Sequence, residues 1–425
     1  MLVGTQAAPY SRGLRIARAL VDAGYDVEIA AVAGDGVADR ETDGPITICR
    51  YRPSGPYASM AATYQPLERP SVAARPPMPV RVARHAAAAA RRWVFWPHTV
   101  RGWWATLARD LPPADLYHAC GSLAIAAALA ARERDRAAGR TSFVVYDAID
   151  DVAAGNNVLG MPRAVRAIVR SRERRWARAA DGRITVNDAL AAGLASRWGT
   201  AVPVVIPNWP EPAASGDAPP TDRIRLTLGL AASTRIVVFQ GRLGPNLGLV
   251  EAAEAILEVP DAVLVVIGFG RGYAASVARD AEPRLAGRHH TLPAVHPDEL
   301  LEWTASADVA LVPLPPVSAN QRASTPNKFW EAIAAGTPLV IGPDLPVMAA
   351  AVSEHDLGVV AASLSAGDLA AAISLLLDVP PEAAAARRRR IAAVARDRFS
   401  WSVAAARYRA LVAGLGDGRP AAVDR

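Results

Sequence analysis

The chain has 425 residues, of which 51% are hydrophobic and 21% are charged, so it predicts two globular domains and excludes a disordered chain. Its net charge of +6 indicates phosphate-bearing substrates first, an anionic membrane surface second and nucleic acid last, because no aromatic-studded basic motif of a nucleic-acid reader is present. The two distant cysteines, Cys49 and Cys120, offer neither a disulfide framework nor metal-ligand spacing.

The N-terminal half alternates short apolar runs with alanine-rich helical stretches. The pattern predicts these elements in chain order: strand 2–3, helix 14–23, strands 27–32 and 46–51, a proline-rich loop 53–79, a basic tryptophan-containing segment 83–109, a strand near 116–118, helix 122–136, strand 143–146, basic helix 163–180, and strands 184–186 and 204–206. Met1 runs directly into the first strand, so we expect no signal peptide, a cytoplasmic location and a true start upstream. No uncharged apolar run reaches the roughly 18 residues of a membrane span.

A breaker-rich stretch at 210–220 predicts a linker, after which the alternation begins again. The second half predicts strand 236–239, helix 249–257, strands 263–267 and 309–312, a helical segment 324–335 and strand 339–341. Two successive arrays of this kind indicate an α/β fold with two Rossmann-like halves. The predicted domains are 1–207 and 208–399, and a final helix at about 400–415 completes the first.

Glycines follow two predicted strands of the second half. Gly241-Arg242 suits phosphate binding at a strand's carboxyl end, and the alternative is a plain turn with a solvated arginine. Gly268-Phe269-Gly270 lacks the spacing of a dinucleotide fingerprint, which favours a tight turn there.

The segment 324–336 predicts a helix whose start binds an anion. Ser324 or Thr325 would cap the helix and Pro326 would occupy its first position, leaving free N–H groups near Lys328. Glu331 would lie one turn further on, within reach of ribose hydroxyls; the alternative is a capped core helix with a surface Lys–Glu pair. Of 47 basic residues only Lys328 is a lysine, which favours a specific role at that position.

Polar residues also follow predicted strands of the first half. His118 is placed at a strand's carboxyl end, and Asp147, Asp150 and Asp151 follow the next strand. A cleft-facing catalytic role is one interpretation, and helix caps with a packed histidine are the other. The two basic helices indicate solvated faces or adhesion to anionic lipid headgroups.

Taken in order, the motifs resemble those of retaining glycosyltransferases of the GT-B fold, in particular the GT4 family. The resemblance rests on the opening segment 11–27, the segment 115–119, the crossing 186–208, Gly241-Arg242, the strand 308–313, the Pro-Asn-Lys-x-x-Glu segment 326–331 and the final helix start 399–401. It covers nearly the whole chain and implies two facing Rossmann-like domains with a cleft between them.

The resemblance implies that a nucleotide sugar, such as a UDP-, GDP- or dTDP-sugar, binds the C-terminal domain without a metal or cofactor. Arg242 and Lys328 would neutralise the diphosphate, Glu331 would hold the ribose, and His118 and Asp150 would take part in catalysis. The remaining donor residues would be Gly241, Gly268, Val295, Thr325, Pro326 and Asn327. Arg12, Asp147 and Asp151 would lie on the side of the acceptor, a small molecule, glycan or lipid-linked hydroxyl, and the membrane contact would be peripheral.

Three positions depart from the family pattern. Ala323 replaces a sugar-contacting glutamate, Leu247 replaces a second base, and Cys120 replaces the second histidine of the strand motif. These departures leave two alternatives beside a transferase: a non-catalytic nucleotide-sugar-binding partner subunit and a GT-B sugar-nucleotide epimerase.

Overall fold

The computed structural model describes residues 1–7, 10–34, 36–55, 78, 96–155, 158, 161–212 and 222–416. Most of the predicted proline-rich loop 53–79, the first part of the basic segment 83–109 and most of the linker 210–220 lie outside the described residues. Among the described residues no single helix is long and apolar enough to cross a membrane. The two helical segments Ala366–Leu377 and Pro381–Gly416 pass the length and composition test only when taken together, and they are bent by 97° at the break between them.

The first half folds around an eight-stranded sheet. Its strands are β1 (Leu2–Val3), β2 (Glu28–Val32), β3 (Arg40–Asp43), β4 (Ile46–Tyr51), β5 (Leu116–Cys120), β6 (Phe143–Ala148), β7 (Gly182–Thr185) and β8 (Val204–Val205), in the order β3-β4-β2-β1-β5-β6-β7-β8. Among the strand pairs of the described residues in this sheet, that of β3 with β4 alone is antiparallel. The helices are α1 (Ser11–Val21), α2 (Trp96–Asp110), α3 (Ile125–Ala137), α4 (Arg163–Ala179) and α5 (Asp188–Trp198), with a 3₁₀ turn at Val152–Ala154.

The second half folds around a six-stranded parallel sheet. Its strands are β9 (Arg235–Arg242), β10 (Ala262–Phe269), β11 (His289–Pro293), β12 (Val309–Val312), β13 (Leu339–Ile341) and β14 (Gly358–Val360), in the order β11-β10-β9-β12-β13-β14. The helices are α6 (Arg223–Leu228), α7 (Leu249–Leu257), α8 (Tyr273–Asp280), α9 (Leu300–Ala305), α10 (Ala319–Ala323), α11 (Asn327–Ala334), α12 (Pro346–His355), α13 (Ala366–Leu377), α14 (Pro381–Arg398) and α15 (Trp401–Gly416).

The central strands of both sheets are nearly continuous apolar runs, as expected where helices cover both faces of a parallel sheet. All but the last residue of β10 are buried, and every residue of β12 is. The last helix, α15, packs on α1, β7 and β8 of the first sheet. The aromatic rings of Trp209, Trp330 and Phe399 pack together where the chain crosses between the halves, with centroid separations of 5.1–5.8 Å. The predicted α/β fold with two Rossmann-like halves is confirmed.

Two local predictions are wrong. His118 is the third residue of β5 rather than its last, because the apolar run continues to Cys120. Pro326, not Ser324 or Thr325, occupies the N-cap of α11, since Ser324 ends α10 and its hydroxyl donates to the carbonyl of Gln321 at 2.9 Å. By contrast, Asn187 caps α5 with its side chain, accepting from the amide of Leu190 at 2.9 Å.

Candidate active site

Two glycines lie side by side at the carboxyl ends of β9 and β10. Gly241 pairs in register with Gly268 and adopts a φ of 102°, a left-handed conformation that disfavours a side chain. A Cβ on Gly268 would lie 2.2 Å from the carbonyl oxygen of Gly241, so the two backbones meet without room for one. Arg242 follows Gly241 and its side chain is exposed. These strand ends therefore present bare backbone and an exposed cation at the edge where ligands collect.

Lys328 reaches this edge from the first turn of α11. A Cβ on Gly241 would lie 3.7 Å from Cε of Lys328, and Nζ lies 3.5 Å from the ring centroid of Phe239. The residue as a whole is half-buried, but its Nζ is enclosed and has no hydrogen-bond partner among the described residues. Burial lowers the pKa of Lys328 to about 7, and the nearby Glu331 carboxylate opposes this shift. An enclosed amine without an acceptor is suited to receive an anion.

The start of α11 adds donors to the same place. Pro326 is the N-cap and no side chain of the described residues caps the helix. The first N–H groups of α11 therefore face the site with the positive end of the helix dipole. Thr325, just before it, is buried and its hydroxyl accepts from the amide of Asn187 at 3.4 Å.

Glu331 lies one turn further along α11, facing Gln240 of β9. Nε2 of Gln240 donates to Oε2 of Glu331 at 2.9 Å, while Oε1 of Gln240 accepts from the hydroxyl of Thr304 at 2.5 Å. Burial raises the pKa of Glu331, and the Gln240 hydrogen bond and the charges of Arg15 and Lys328 act in the opposite direction. Gln240 and Thr304 thus fix the orientation of the carboxylate.

Arg15 of α1 brings the first half to this carboxylate. Its Nη2 donates to Oδ1 of Asn208 at 2.5 Å, and the amide of Asn208 in turn donates to Oδ1 of Asn327. Asn327 Nδ2 lies 3.5 Å from the hydroxyl of Ser11. Burial lowers the pKa of Arg15 to about 10, which the charge of Glu331 partly offsets. The first turns of α1 and α11 therefore meet, one from each half.

Sequence reasoning missed Arg15, Gln240 and Asn208. The available signals were that Arg15 lies in the opening segment 11–27, that Asn208 ends the crossing 186–208, and that Gln240 directly precedes Gly241.

Arg12, Asp147 and His118 form a separate, buried network in the first half. Nε and Nη2 of Arg12 donate to the two Asp147 oxygens at 2.8 and 2.9 Å, and its Nη1 donates to the carbonyl of Ile206 at 2.9 Å. Nδ1 of His118 lies 2.8 Å from the hydroxyl of Tyr408 in α15, and its Nε2 lies 3.6 Å from Oδ2 of Asp147. Burial lowers the pKa of His118, although Asp147 acts in the opposite direction.

The same region contains the three groups His118, Cys120 and Asp147, whose potential ligand atoms lie within 4.8 Å of one another. All three residues are buried, and Arg12 already engages both Asp147 oxygens. This arrangement fits an ion pair better than a cation site. His118 exposes no surface in this structure, so its predicted contact with a transferred sugar stays a prediction.

Asp150 and Asp151 lie where the two halves touch. Nδ2 of Asn320 donates to Oδ1 of Asp150 at 3.0 Å, and the amide of Asp151 donates to Oδ1 of Asn320 at 2.7 Å. Asp151 also accepts from the amide of Ala154 at 3.0 Å and pairs with Arg197. The carbonyl of Ala323, one of the positions that depart from the family pattern, accepts from Nδ2 of Asn187 at 2.8 Å.

The structure therefore brings Gly241, Gly268, Asn327, Lys328 and Glu331 together. It places Arg12, Asp147 and His118 in the buried network, and Asp150 and Asp151 at the contact between halves. Val295 is half-buried, just after β11, and packs against an apolar cluster to which both halves contribute.

Two parallel α/β sheets, facing each other across these contacts and joined by a returning last helix, define the GT-B fold. Residues 234–378 match the family described as Glycosyl transferases group 1. The chain is thus recognised as a GT4-like sequence of GT-B fold, as its motifs indicated.

Individual relatives agree with this recognition. A D-inositol 3-phosphate glycosyltransferase of Corynebacterium aurimucosum is 34% identical over 200 residues, a match that spans 44% of this chain and 44% of that protein. The matched segment thus covers less than half of the relative. Sucrose-phosphate synthase of Thermosynechococcus elongatus superimposes with a TM-score of 0.64 and 19% identity over 98% of this chain and 96% of its own. An E. coli trehalose-6-phosphate protein bound with UDP-2-fluoro glucose superimposes with a TM-score of 0.64 and 14% identity, over 97% of this chain and 98% of its own.

Proposed function

We propose that the protein is a glycosyltransferase that moves a sugar from a nucleotide-sugar donor to an acceptor hydroxyl. The observation that carries this proposal is the enclosed, unpartnered Nζ of Lys328 beside Gly241, Arg242 and the uncapped start of α11. Two cations, bare backbone and helix N–H groups directed at one place suit the two phosphates of a nucleoside diphosphate. A solved structure of the same fold is bound with UDP-2-fluoro glucose, which supports a nucleotide-sugar ligand.

In this proposal the leaving diphosphate is stabilised by the protein alone. Lys328, Arg242 and the helix N–H groups would neutralise the charge that develops as the sugar–phosphate bond breaks, the task that a metal performs elsewhere. Glu331, held by Gln240, would accept hydrogen bonds from the ribose hydroxyls. We therefore infer that the reaction needs no divalent cation.

The acceptor would approach from the first half, on the side of α1 and the Asp150–Asp151 segment. A diphosphate oxygen held by Lys328 would help to remove the proton of the acceptor hydroxyl on the face that the diphosphate leaves, so the sugar would be transferred with retention. The two halves already meet through Asn208 and Asn327 and through Asn320 and Asp150. Small adjustments of these contacts would open and close the site.

A thermal-shift screen of nucleosides, nucleoside diphosphates and nucleotide sugars tests this proposal. A ligand at 100 times its Kd should stabilise the protein by about 2.7 kcal/mol. Lys328→Ala should weaken the binding of nucleoside diphosphates by roughly 1.5–3 kcal/mol and leave the binding of nucleosides unchanged, because only the diphosphate contacts the amine. The exposed Arg271→Ala serves as the matched loss of a cation nearby. Equal losses for both ligand classes would contradict a phosphate site at Lys328, and binding without sugar release would favour a partner subunit.

A further inference from the structure

An enclosed cation of the first half lies across the cleft from the carboxylate of Glu331. Arg15, in α1, is half-buried, and its Nε is enclosed and has no hydrogen-bond partner among the described residues. The charges of Arg15 and Glu331 act on each other, yet no salt bridge joins Arg15 to a carboxylate of the described residues. A buried N–H of this kind costs free energy until it finds an acceptor.

The guanidinium of Arg15 is held in place by residues of the crossing between the halves. Its Nη2 donates to Oδ1 of Asn208 at 2.5 Å, and its central carbon lies 5.8 Å from the ring centroid of Trp401, the first residue of α15. Asn208 in turn donates to Asn327, the first residue of α11. Burial lowers the pKa of Arg15 to about 10, so the group is still cationic at neutral pH. These contacts orient a charged donor whose Nε–H is unused.

The facing group on α11 is an acceptor with an unused oxygen. Glu331 is half-buried, and its Oε2 accepts from Nε2 of Gln240 at 2.9 Å, whereas no described residue donates to its Oε1. A guanidinium carries donors alone, and an ionised carboxylate carries acceptors alone. A group between Arg15 and Glu331 therefore satisfies both only if it donates and accepts at once, as a hydroxyl does.

The spacing along α11 indicates which hydroxyls would lie there. Glu331 follows Lys328 by three residues, a rise of about 4.5 Å along the helix. In a nucleoside diphosphate the ribose is the unit next to the phosphates. With the phosphates at Lys328, the ribose diol falls at Glu331 and faces Arg15.

We propose that Arg15 binds the donor: its Nε–H donates to the ribose hydroxyls that donate to Glu331, so the diol bridges the two halves. The inference rests on the proposed function, since it takes Lys328 and Glu331 as the donor site. Removing either hydroxyl removes a bond to one of the two charged groups. The site therefore selects ribonucleotide donors, such as UDP- or GDP-sugars, over 2′-deoxyribonucleotide donors such as dTDP-sugars.

The test is calorimetric titration with UDP, GDP and ADP, each compared with its 2′-deoxy counterpart. The wild type should bind the ribonucleotide at least about tenfold more tightly, as expected for a lost charged hydrogen bond. Arg15→Met removes the guanidinium and keeps an apolar stem. It should reduce the preference for the ribonucleotide at least about fivefold, because the bond that the missing hydroxyl would make to Arg15 no longer exists in either complex.

Arg18→Met is the matched control, because Arg18 lies three residues further along α1, is exposed and pairs with Asp43. It should leave the preference within about twofold of the wild-type value. Arg15→Lys should retain more of the preference than Arg15→Met, since an ammonium also donates hydrogen bonds. The lysine variant also serves as the test if Arg15→Met does not fold.

A loss of affinity in the Arg15 variants that is equal for the ribonucleotide and its deoxy counterpart would show a packing role alone and overturn the inference. Equal binding of the two ligands by the wild type would overturn it as well, since solvent rather than ribose would then fill the gap between Arg15 and Glu331.

Failure of the proposed function gives a different result. A chain that binds no nucleoside diphosphate, or binds one independently of Lys328, refutes the donor site and the inference with it. Binding that depends on Lys328 but shows no ribose preference set by Arg15 refutes the inference alone.

Discussion

The amine of Lys328 connects the chemistry of the site to pH. Its pKa is lowered to about 7 by burial, whereas an unfolded lysine titrates at about 10.4, so between these values the unfolded chain binds more protons. The free energy of unfolding should therefore rise with pH between about 7 and 10.4. Below about 7 both states hold the proton, so Lys328 adds no pH dependence to the free energy of unfolding there.

Donor binding should show the opposite pH dependence. A diphosphate stabilises the ammonium form, so above about pH 7 binding should take up a proton and affinity should fall as pH rises. Calorimetry at pH of about 8, in buffers that differ in ionisation enthalpy, measures that uptake. Lys328→Met removes the titrating group and should abolish most of it, and equal uptake by wild type and variant would contradict the assignment.

Glu331 should contact the donor ribose. Glu331→Gln should weaken donor binding moderately and Glu331→Ala more, by about 1.5–3 kcal/mol for each charged hydrogen bond lost. A 2′,3′-dideoxy donor should bind the wild type poorly, yet bind Glu331→Ala no worse than the normal donor does. Four dissociation constants decide the matter: if the ratio of the two donors is the same in wild type and Glu331→Ala, the carboxylate does not contact ribose.

Among single residues, the sequence predicted those whose role can be inferred from nearby positions in the chain. Lys328 was identifiable as a single lysine among arginines at a helix start, and Glu331 lies on the same face of α11 as Asn327. The contacts of Arg15 and Asn208 could not be predicted, because the Arg15–Asn208 pair is separated by 193 residues of chain and the Asn208–Asn327 pair by 119. Contacts at such separations leave no local pattern.

Elements that contain a buried apolar run were predicted best, in both halves. Helix Leu249–Leu257 and strands Val309–Val312 and Leu339–Ile341 have their predicted bounds, because each apolar run ends at a charged, glycine or proline residue. The edge strands β3, β11 and β14 were missed. Exposed or half-exposed residues such as Arg40, Glu41 and Gly358 lack the buried apolar pattern that marks a central strand.

The last helix, α15, is attached to the first sheet by a buried hydrogen bond. Tyr408→Phe removes the hydroxyl that pairs with His118, leaving a buried ring nitrogen without its partner. The free energy of unfolding should fall by about 1–3 kcal/mol. Urea denaturation measures it, and Tyr25→Phe is the control because that ring is 37% exposed. A loss no larger than that of the control would show that the bond does not stabilise the packing of α15.

At the scale of the whole molecule, the two halves form one site. Arg15 from the first half and Lys328 from the second both act on the carboxylate of Glu331. The start of α1 meets the start of α11 through Ser11 and Asn327. Two helix N-termini converging from separate sheets give the cleft a positive potential suited to an anionic donor. The α/β character of both halves was predictable from periodicity, but this convergence depends on how they dock.

The most direct test is the release of nucleoside diphosphate from a panel of nucleotide sugars, measured with EDTA present. We expect at least one nucleotide sugar to be consumed, without a divalent cation, and consumption to be lost in Lys328→Ala while the melting temperature of that variant stays near the wild-type value. Release that stops in EDTA and returns with magnesium or manganese would contradict metal independence. If no nucleotide sugar were consumed and none shifted the melting temperature, the assignment of this cleft as a glycosyltransferase site would be wrong.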